Sequence, residues 1–214
     1  MSAVARWLGR VEYEPTWRAM QRYTDQRDGS SIDELWCLEH PPVYTLGMNG
    51  KPEHVLAAGD VPVIPIDRGG QVTYHGPGQL VVYPLIDLKR AKLGVRELVT
   101  ALETALIDFA EEIGIAAVAR RDAPGVYVEG AKLASVGLRI RRGACYHGLA
   151  LNVNMDLEPF SRINPCGYAG LRVVDLATLG VEQDPARASR RLVPHLWRTL
   201  GLTGELTWDP APRD

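Results

Sequence analysis

The sequence predicts an α+β fold, a single domain over residues 1–214 in which a mixed β-sheet carries flanking helices. Two observations lead there. Short apolar runs, many of them bounded by glycine or proline, recur along the chain and read as strands. Only a few stretches carry a helical period, and they do not alternate with the strands as a doubly wound sheet requires.

Taken in order, Thr16 to Gln26 is the first helix candidate, with Trp17, Met20 and Tyr23 at three-residue spacing and Gly29-Ser30 beyond its end. Glu34–Glu39 and Val43–Leu46 read as strands separated by Pro41-Pro42. Val61–Ile66 and Leu80–Leu88 follow as strands. Pro62, Pro65 and Pro84 assign parts of them to edges or ends, because proline donates nothing to a ladder. Val95 to Ile113 is the clearest helix: Leu98, Ala101, Leu102, Ala105, Leu106, Phe109 and Ile113 form one apolar stripe, and Gly114 closes it. Ala116–Arg120, Gly125–Val128, Lys132–Arg141 and Cys145–Val153 read as short strands, with hairpin turns at Glu129-Gly130 and Arg142-Gly143. Asp184 as N-cap and Pro185 at the first helical position open a last helix to about Leu200, in which Pro194 predicts a kink or an early break.

Composition narrows the function classes. With 46% hydrophobic and 23% charged residues the chain has an ordinary globular profile, and a net charge of −2 argues against a general polyanion binder. The clusters Arg120-Arg121, Arg139-Arg141-Arg142 and Arg187-Arg190-Arg191 read as solvated surface or a local positive patch. The stretch MSAVARWLGRVEYEP has no uninterrupted apolar segment or cleavage pattern, and no run approaches the ~18 apolar residues of a membrane span. Three widely spaced cysteines make no disulfide framework, and no C-x-x-C or H-x-x-x-H pair suggests structural zinc. The expectation is a cytoplasmic, metal-free protein with free thiols. The lack of an obvious apolar interface helix predicts a monomer.

Three stretches break the local rules. The first is Arg68-Gly69-Gly70-Gln71-Val72-Thr73-Tyr74-His75-Gly76-Pro77-Gly78-Gln79, whose glycines permit positive φ and close approach of a ligand to the backbone. It reads as a decorated hairpin loop or a binding loop, and it has the spacing of neither a P-loop nor a dinucleotide fingerprint. The second is Gly130 to Arg139, where Lys132 opens a strand of small and apolar residues. That lysine either snorkels to water or stabilises an anion, and Ala134, Ser135 and Gly137 leave room for a ligand. The third is Asn164-Pro165-Cys166-Gly167. A free cysteine is often a small core residue, but Pro165 and Gly167 place this one on a constrained surface turn. An ammonium beside it would favour the reactive thiolate, so Lys132 and Cys166 would explain each other; His75 or His147 offers the commoner cysteine–histidine pairing. Spacing does not decide between them. Cys37 and Cys145, in apolar strands, read as core residues.

Together, RGGQVTYHGPGQL, GAKLASVGLRIRRG and HGLALNVNMDLEPFSRINPCGYAG closely resemble the octanoyltransferases of lipoate biosynthesis, from about Leu38 to about Leu179. The resemblance implies a fold similar to the catalytic domains of biotin and lipoate protein ligases. It implies transfer of an octanoyl group from the phosphopantetheine thioester of acyl carrier protein to a lysine of a lipoyl domain. The implied acceptors are the lipoyl domains of 2-oxoacid dehydrogenase complexes and the glycine cleavage H protein, with no nucleic acid or membrane partner. The acyl group would pass through a thioester on Cys166, with Lys132 lowering that thiol's pKa and assisting proton transfer. Arg68, Gly69, Gly70, Gln71, Val72, Thr73, Tyr74 and His75, with Ser135, Val136, Gly137, Gly148, Leu149 and Ala150, would line the acyl and thioester site.

The residues agree with that division of labour. Exchange between thioesters is nearly balanced in energy, so no ATP or other cofactor is required, and the sequence carries no phosphate loop. A saturated chain needs a dry slot, in which each buried CH₂ contributes roughly 0.8 kcal/mol. Gly69, Gly70, Gly137, Gly148 and Ala150 are small enough to form one. Backbone N–H groups near Gly137 or Cys166 are candidates for holding an oxyanion, and Lys132 or His75 for taking the proton of the acceptor lysine. An ATP-dependent ligase on the same fold would need a phosphate-binding signature. A non-catalytic acyl-binding protein would need no nucleophile.

Overall fold

Residues 3–181 and 184–209 are described by the computed structural model, apart from the side chain of Cys166. In chain order they form β1 (Ala3–Arg10), α1 (Tyr13–Gln26), β2 (Asp33–Glu39), β3 (Val43–Leu46), β4 (Val63–Pro65), β5 (Val72–His75), β6 (Gln79–Leu85), α2 (Leu88–Ala91), α3 (Val95–Glu112), β7 (Val118–Ala119), β8 (Gly125–Val128), β9 (Ala131–Arg141), β10 (Ala144–Asn152), α4 (Pro185–Thr199) and β11 (Thr207–Asp209). Eight strands make the large sheet, in the order β11-β1-β2-β6-β10-β9-β8-β7, and β4-β3-β5 make a small one. The large sheet is mixed: β1 runs parallel to β2 and β11, and the strands from β2 through β6, β10, β9 and β8 to β7 pair antiparallel. This is the expected α+β class.

Side-chain alternation in the central strands distributes the core to two faces. Leu80 and Val82 of β6 and Leu149 and Leu151 of β10 face α3 and α4, where they meet Leu98, Leu102, Phe109, Leu192 and Leu196. Val81, Tyr83, Tyr146 and Ala150 face α1 and its Tyr13, Trp17 and Met20. The apolar stripe read in Val95 to Ile113 is the buried face of α3, and the backbone N–H of Gly94 donates to Glu97 Oε2 at 2.6 Å to fix its start. Both hairpin turns lie where the sequence puts them, with left-handed pairs at Glu129-Gly130 (φ 49 and 79) and Arg142-Gly143 (φ 54 and 85).

The differences from the sequence reading have physical causes. β1 is hidden by Arg6, an arginine in mid-strand that is nonetheless fully buried, bonded to Glu34 at 2.7 and 3.0 Å and to Asp209 of β11 at 2.6 Å. Two strands, β5 inside the glycine-rich stretch and the short β11, also went unread. Leu88, assigned to the end of a strand, instead starts α2, whose cap is the Asp87 side chain accepting from Arg90 N–H. Pro84 sits within the central strand β6, because β10 is in ladder register with β6 only from Gln79 to Val82. Pro194 neither breaks nor ends α4, which continues to Thr199. The proline is on the solvent side, while Leu192, Val193, Leu196 and Trp197 are buried. Burying such side chains is worth about 1.5–3 kcal/mol each, against about 3 kcal/mol for the proline.

Candidate active site

A cavity of about 350 Å³ opens between the glycine-rich stretch and strands β9 and β10. Gly137 and Gly148 are paired across those strands. A Cβ on Gly148 would lie 2.1 Å from the Val82 carbonyl oxygen, so only glycine permits this approach of β10 to β6. The Gly69 N–H donates to the Leu138 carbonyl at 2.9 Å, seating the glycine-rich stretch on β9. Arg68 lies inward: Nη2 donates to Thr45 O at 2.8 Å and to Thr45 Oγ1 at 3.0 Å, and Nη1 to Gly69 O at 2.9 Å. Its Cδ is 3.2 Å from the place a Cβ on Gly137 would occupy.

Arg68, Gly69, Gly70, Gln71, Val72, Thr73 and His75 line this cavity, as do Lys132, Ser135, Val136, Gly137, Gly148, Leu149 and Ala150. Tyr74 does not. Along β5 it points into the core of the small sheet, 5.4 Å from the Tyr44 ring and 5.5 Å from the Phe160 ring.

Lys132 is 2% exposed. Its N–H donates to Arg172 O at 2.8 Å and its carbonyl accepts from Val174 N–H at 3.0 Å, so the chain leaving the cysteine turn returns alongside it. The ammonium lies 5.3 Å from the centroid of the Tyr127 ring. A Cβ on Gly125 (φ 137) would meet Ala134 O at 2.3 Å and Lys132 Cε at 2.9 Å, so this glycine provides space for the lysine stem. The side chain of Cys166 lies outside the described residues. The backbone that carries it is a 3-10 turn, Pro165–Gly167, with Gly167 at φ 79 and its N–H donating to Asn164 O at 2.9 Å.

The two histidines considered as partners for the thiol occupy other networks. In His75, Nδ1 bonds Gln79 Oε1 at 2.7 Å and Nε2 lies 3.4 Å from Thr45 Oγ1. Burial and the neighbouring His40 push it down to about 3. With both nitrogens engaged and protonation disfavoured, His75 is not equipped to take a proton from an acceptor lysine. His147 adopts φ 57 within β10, and its Nε2 bonds Asp67 Oδ1 at 2.9 Å. Asp67 also accepts from Trp17 Nε1 at 2.8 Å, Gln21 Nε2 at 3.2 Å and the Tyr146 hydroxyl. Burial alone would raise its carboxyl; the bonds from His147 and Tyr146 hold it far below the usual carboxylate range.

Sequence reasoning passed over Tyr13 and Tyr83, which line the cavity from α1 and β6, and His54, which adjoins the cysteine turn. The Asn164 N–H donates to His54 O at 2.8 Å, and a Cβ on Gly167 would lie 3.5 Å from His54 Nε2. No motif contains these residues, so only folding brings them in. The arginine clusters are partly neutralised: Arg120 pairs with Asp122 at 2.6 Å, Arg141 with Asp25 at 2.8 Å and Arg191 with Glu112 at 2.8 Å.

Comparison with known proteins decides the family. The lipoyl protein ligase A/B catalytic domain family matches residues 12–196. The octanoyltransferase of Chromobacterium violaceum is 61% identical over 205 residues, covering 96% of this chain and 99% of that protein. The octanoyltransferase of Methylococcus capsulatus is 61% identical over 201 residues, covering 94% and 97%. The chain belongs to the octanoyltransferase family. Among solved structures, the fold of this octanoyltransferase family member is shared by a putative lipoate protein ligase from T. acidophilum with bound lipoic acid. That match has a TM-score of 0.77 and 14% identity, covering 99% of this chain and 90% of that one. A biotin protein ligase from Aquifex aeolicus in complex with biotin and ATP matches at TM-score 0.58 and 14% identity, covering 92% and 70%.

Proposed function

We propose that the chain moves an octanoyl group from the phosphopantetheine thioester of acyl carrier protein to a lysine of lipoyl domains, by way of a thioester on Cys166. Near-full-length identity to octanoyltransferases supports octanoyl transfer in lipoylation. The observation that carries the chemistry is Lys132, a lysine 2% exposed in the wall of a glycine-lined cavity, with the chain from the cysteine turn running beside it. A buried cation of this kind attracts an anion, and in a partly dehydrated site that attraction is strong.

In the first half-reaction the Cys166 thiolate attacks the donor carbonyl, and the C–S bond to the carrier breaks as the departing carrier thiolate takes a proton from the Lys132 ammonium, leaving Lys132 neutral. In the second, the neutral amine of the acceptor lysine attacks the acyl-Cys166 carbonyl. The amide forms as the neutral Lys132 amine takes the proton of the attacking nitrogen, and the Cys166 thiolate leaves, stabilised by the Lys132 ammonium so formed. Donor and acceptor then use one site in turn, which gives ping-pong kinetics. No cofactor enters either step. The acceptors of this reading are lipoyl domains of 2-oxoacid dehydrogenase complexes and the glycine cleavage H protein, in the cytoplasm.

Octanoyl-acyl carrier protein, a lipoyl domain and the purified protein, mixed without nucleotide, are expected to add one octanoyl group to the lipoyl domain, read by intact mass. Transfer only on addition of ATP and free octanoate would replace this reading with an adenylating ligase.

A further inference from the structure

Lys132 reaches the cavity face of β9 because of a bulge. Lys132 is paired with Tyr127 and Ala134 with Val126, so Leu133 is an extra residue of β9 where the β8–β9 ladder shifts register. Leu133 and Ala134 consequently both belong to the core shared with α3 and α4, together with Ala131, Val126 and Val128. Strict alternation back from Ala134 would send Lys132 into that core. The bulge instead places it on the side of Ser135 and Gly137, and all three line the cavity.

The stem of the lysine then lies against Gly125, the first residue of β8 and the partner of Ser135. Gly125 adopts φ 137, and Lys132 Cε is 2.9 Å from the place its Cβ would occupy. The conformation of this one glycine therefore decides where the stem can rest. Its N–H donates to Glu103 Oε1 at 2.8 Å.

Glu103 belongs to α3, where Val95, Val99 and Glu103 follow one another at four-residue spacing along one side. Val95 and Val99 line the cavity, and Glu103 is the next residue of that row, half-buried. Burial raises its carboxyl from the usual carboxylate range, against the Gly125 N–H and the charge of Lys132, which both lower it. So the acid stands within electrostatic reach of the lysine as well as holding the glycine beneath it.

We propose that Glu103 is a positioning residue for Lys132: by holding the Gly125 N–H it fixes the bend on which the lysine stem is seated, and so sets where the lysine nitrogen stands. The seat matters because each half-reaction moves a proton to or from that nitrogen, which needs hydrogen-bond reach, and a displacement of about 1 Å can cost roughly a hundredfold in rate. The inference rests on the reading that Lys132 activates the Cys166 thiol.

The test is a double-mutant cycle, read by the rate at which iodoacetamide alkylates Cys166 at pH 7 and followed by intact mass. Glu103→Met keeps the length of the side chain and loses the oxygen, whereas Glu103→Gln keeps an oxygen for the Gly125 N–H. With Lys132 in place, Glu103→Met is expected to slow alkylation at least about threefold. In Lys132→Met the same change should slow it by less than about twofold, because a residue acting through the lysine has nothing left to position. Glu103→Gln should stay within about twofold of the unaltered protein. A merely structural residue would slow both backgrounds alike. Equal slowing in the two, no slowing with Lys132 in place, or a loss in Glu103→Gln as large as in Glu103→Met would each overturn the inference. Labelling of all three cysteines would mark a variant that has unfolded, and Glu103→Ala then supplies the same comparison. Alkylation of Lys132→Met at the unaltered rate would overturn the reading of Lys132 as the activating group, and this inference with it.

Discussion

Cys37 and Cys145 are fully buried within the large sheet, and burial raises both thiols, Cys145 to about 12. Neither supplies thiolate at neutral pH, which leaves Cys166 as the reactive cysteine of the proposed mechanism. Iodoacetamide at pH 7 is therefore expected to add a single carboxamidomethyl group, absent in Cys166→Ala. Lys132→Met should slow that addition about tenfold by removing the neighbouring positive charge. Unchanged alkylation kinetics in Lys132→Met would show that another group activates the thiol. At this scale the sequence was informative where residue types are rare in their setting: a lysine opening a small-residue strand, a cysteine between proline and glycine. It was uninformative about partners. That His75 is occupied by Thr45 and Gln79, or that His147 is held by Asp67, depends on tertiary contacts with no signature in spacing.

Hairpins and long amphipathic segments were the most legible elements, because their signals are local: β8, β9 and β10 with their two left-handed turns, and the apolar stripe of α3. Less legible were elements whose stability comes from elsewhere. β1 carries a buried arginine whose carboxylate partners lie on β2 and near the carboxyl end of the described chain. The strand β5 lies among glycines and proline that read as loop. In α4, tertiary burial overrides a helix breaker, and that balance is testable. Pro194 is exposed, so Pro194→Ala restores a backbone donor without disturbing the core. It should stabilise the protein by about 1–3 kcal/mol, seen as a higher urea midpoint at unchanged slope. A lower midpoint would mean that the proline makes contacts the helix depends on. The opposite sign holds for Gly148→Ala. Its Cβ would lie 2.1 Å from Val82 O, so the strands must separate at the cavity, and both stability and transfer should fall.

The molecule as a whole keeps uncharged histidines in its interior, and this makes its stability depend on pH. Burial pushes His40 down to about 4, and burial with the nearby His40 pushes His75 down to about 3, from an ordinary value near 6.5. The unfolded chain takes up protons near pH 6.5 that the folded chain refuses until far lower pH. The stabilisation is therefore complete above 6.5 and is lost progressively as pH falls, on the order of 1–2 kcal/mol per histidine by pH 5. Urea midpoints at pH 7.5, 6 and 5 should decline steadily. A midpoint that stays flat across this range would show that these rings are not neutral in the folded protein. The central claim is an acyl group held on Cys166 between donor and acceptor. Intact mass after incubation with octanoyl-acyl carrier protein alone, without acceptor, tests it most directly. The expected result is a gain of one octanoyl group that hydroxylamine removes and Cys166→Ala abolishes. No gain on the unaltered protein, or the same gain on Cys166→Ala, would contradict it.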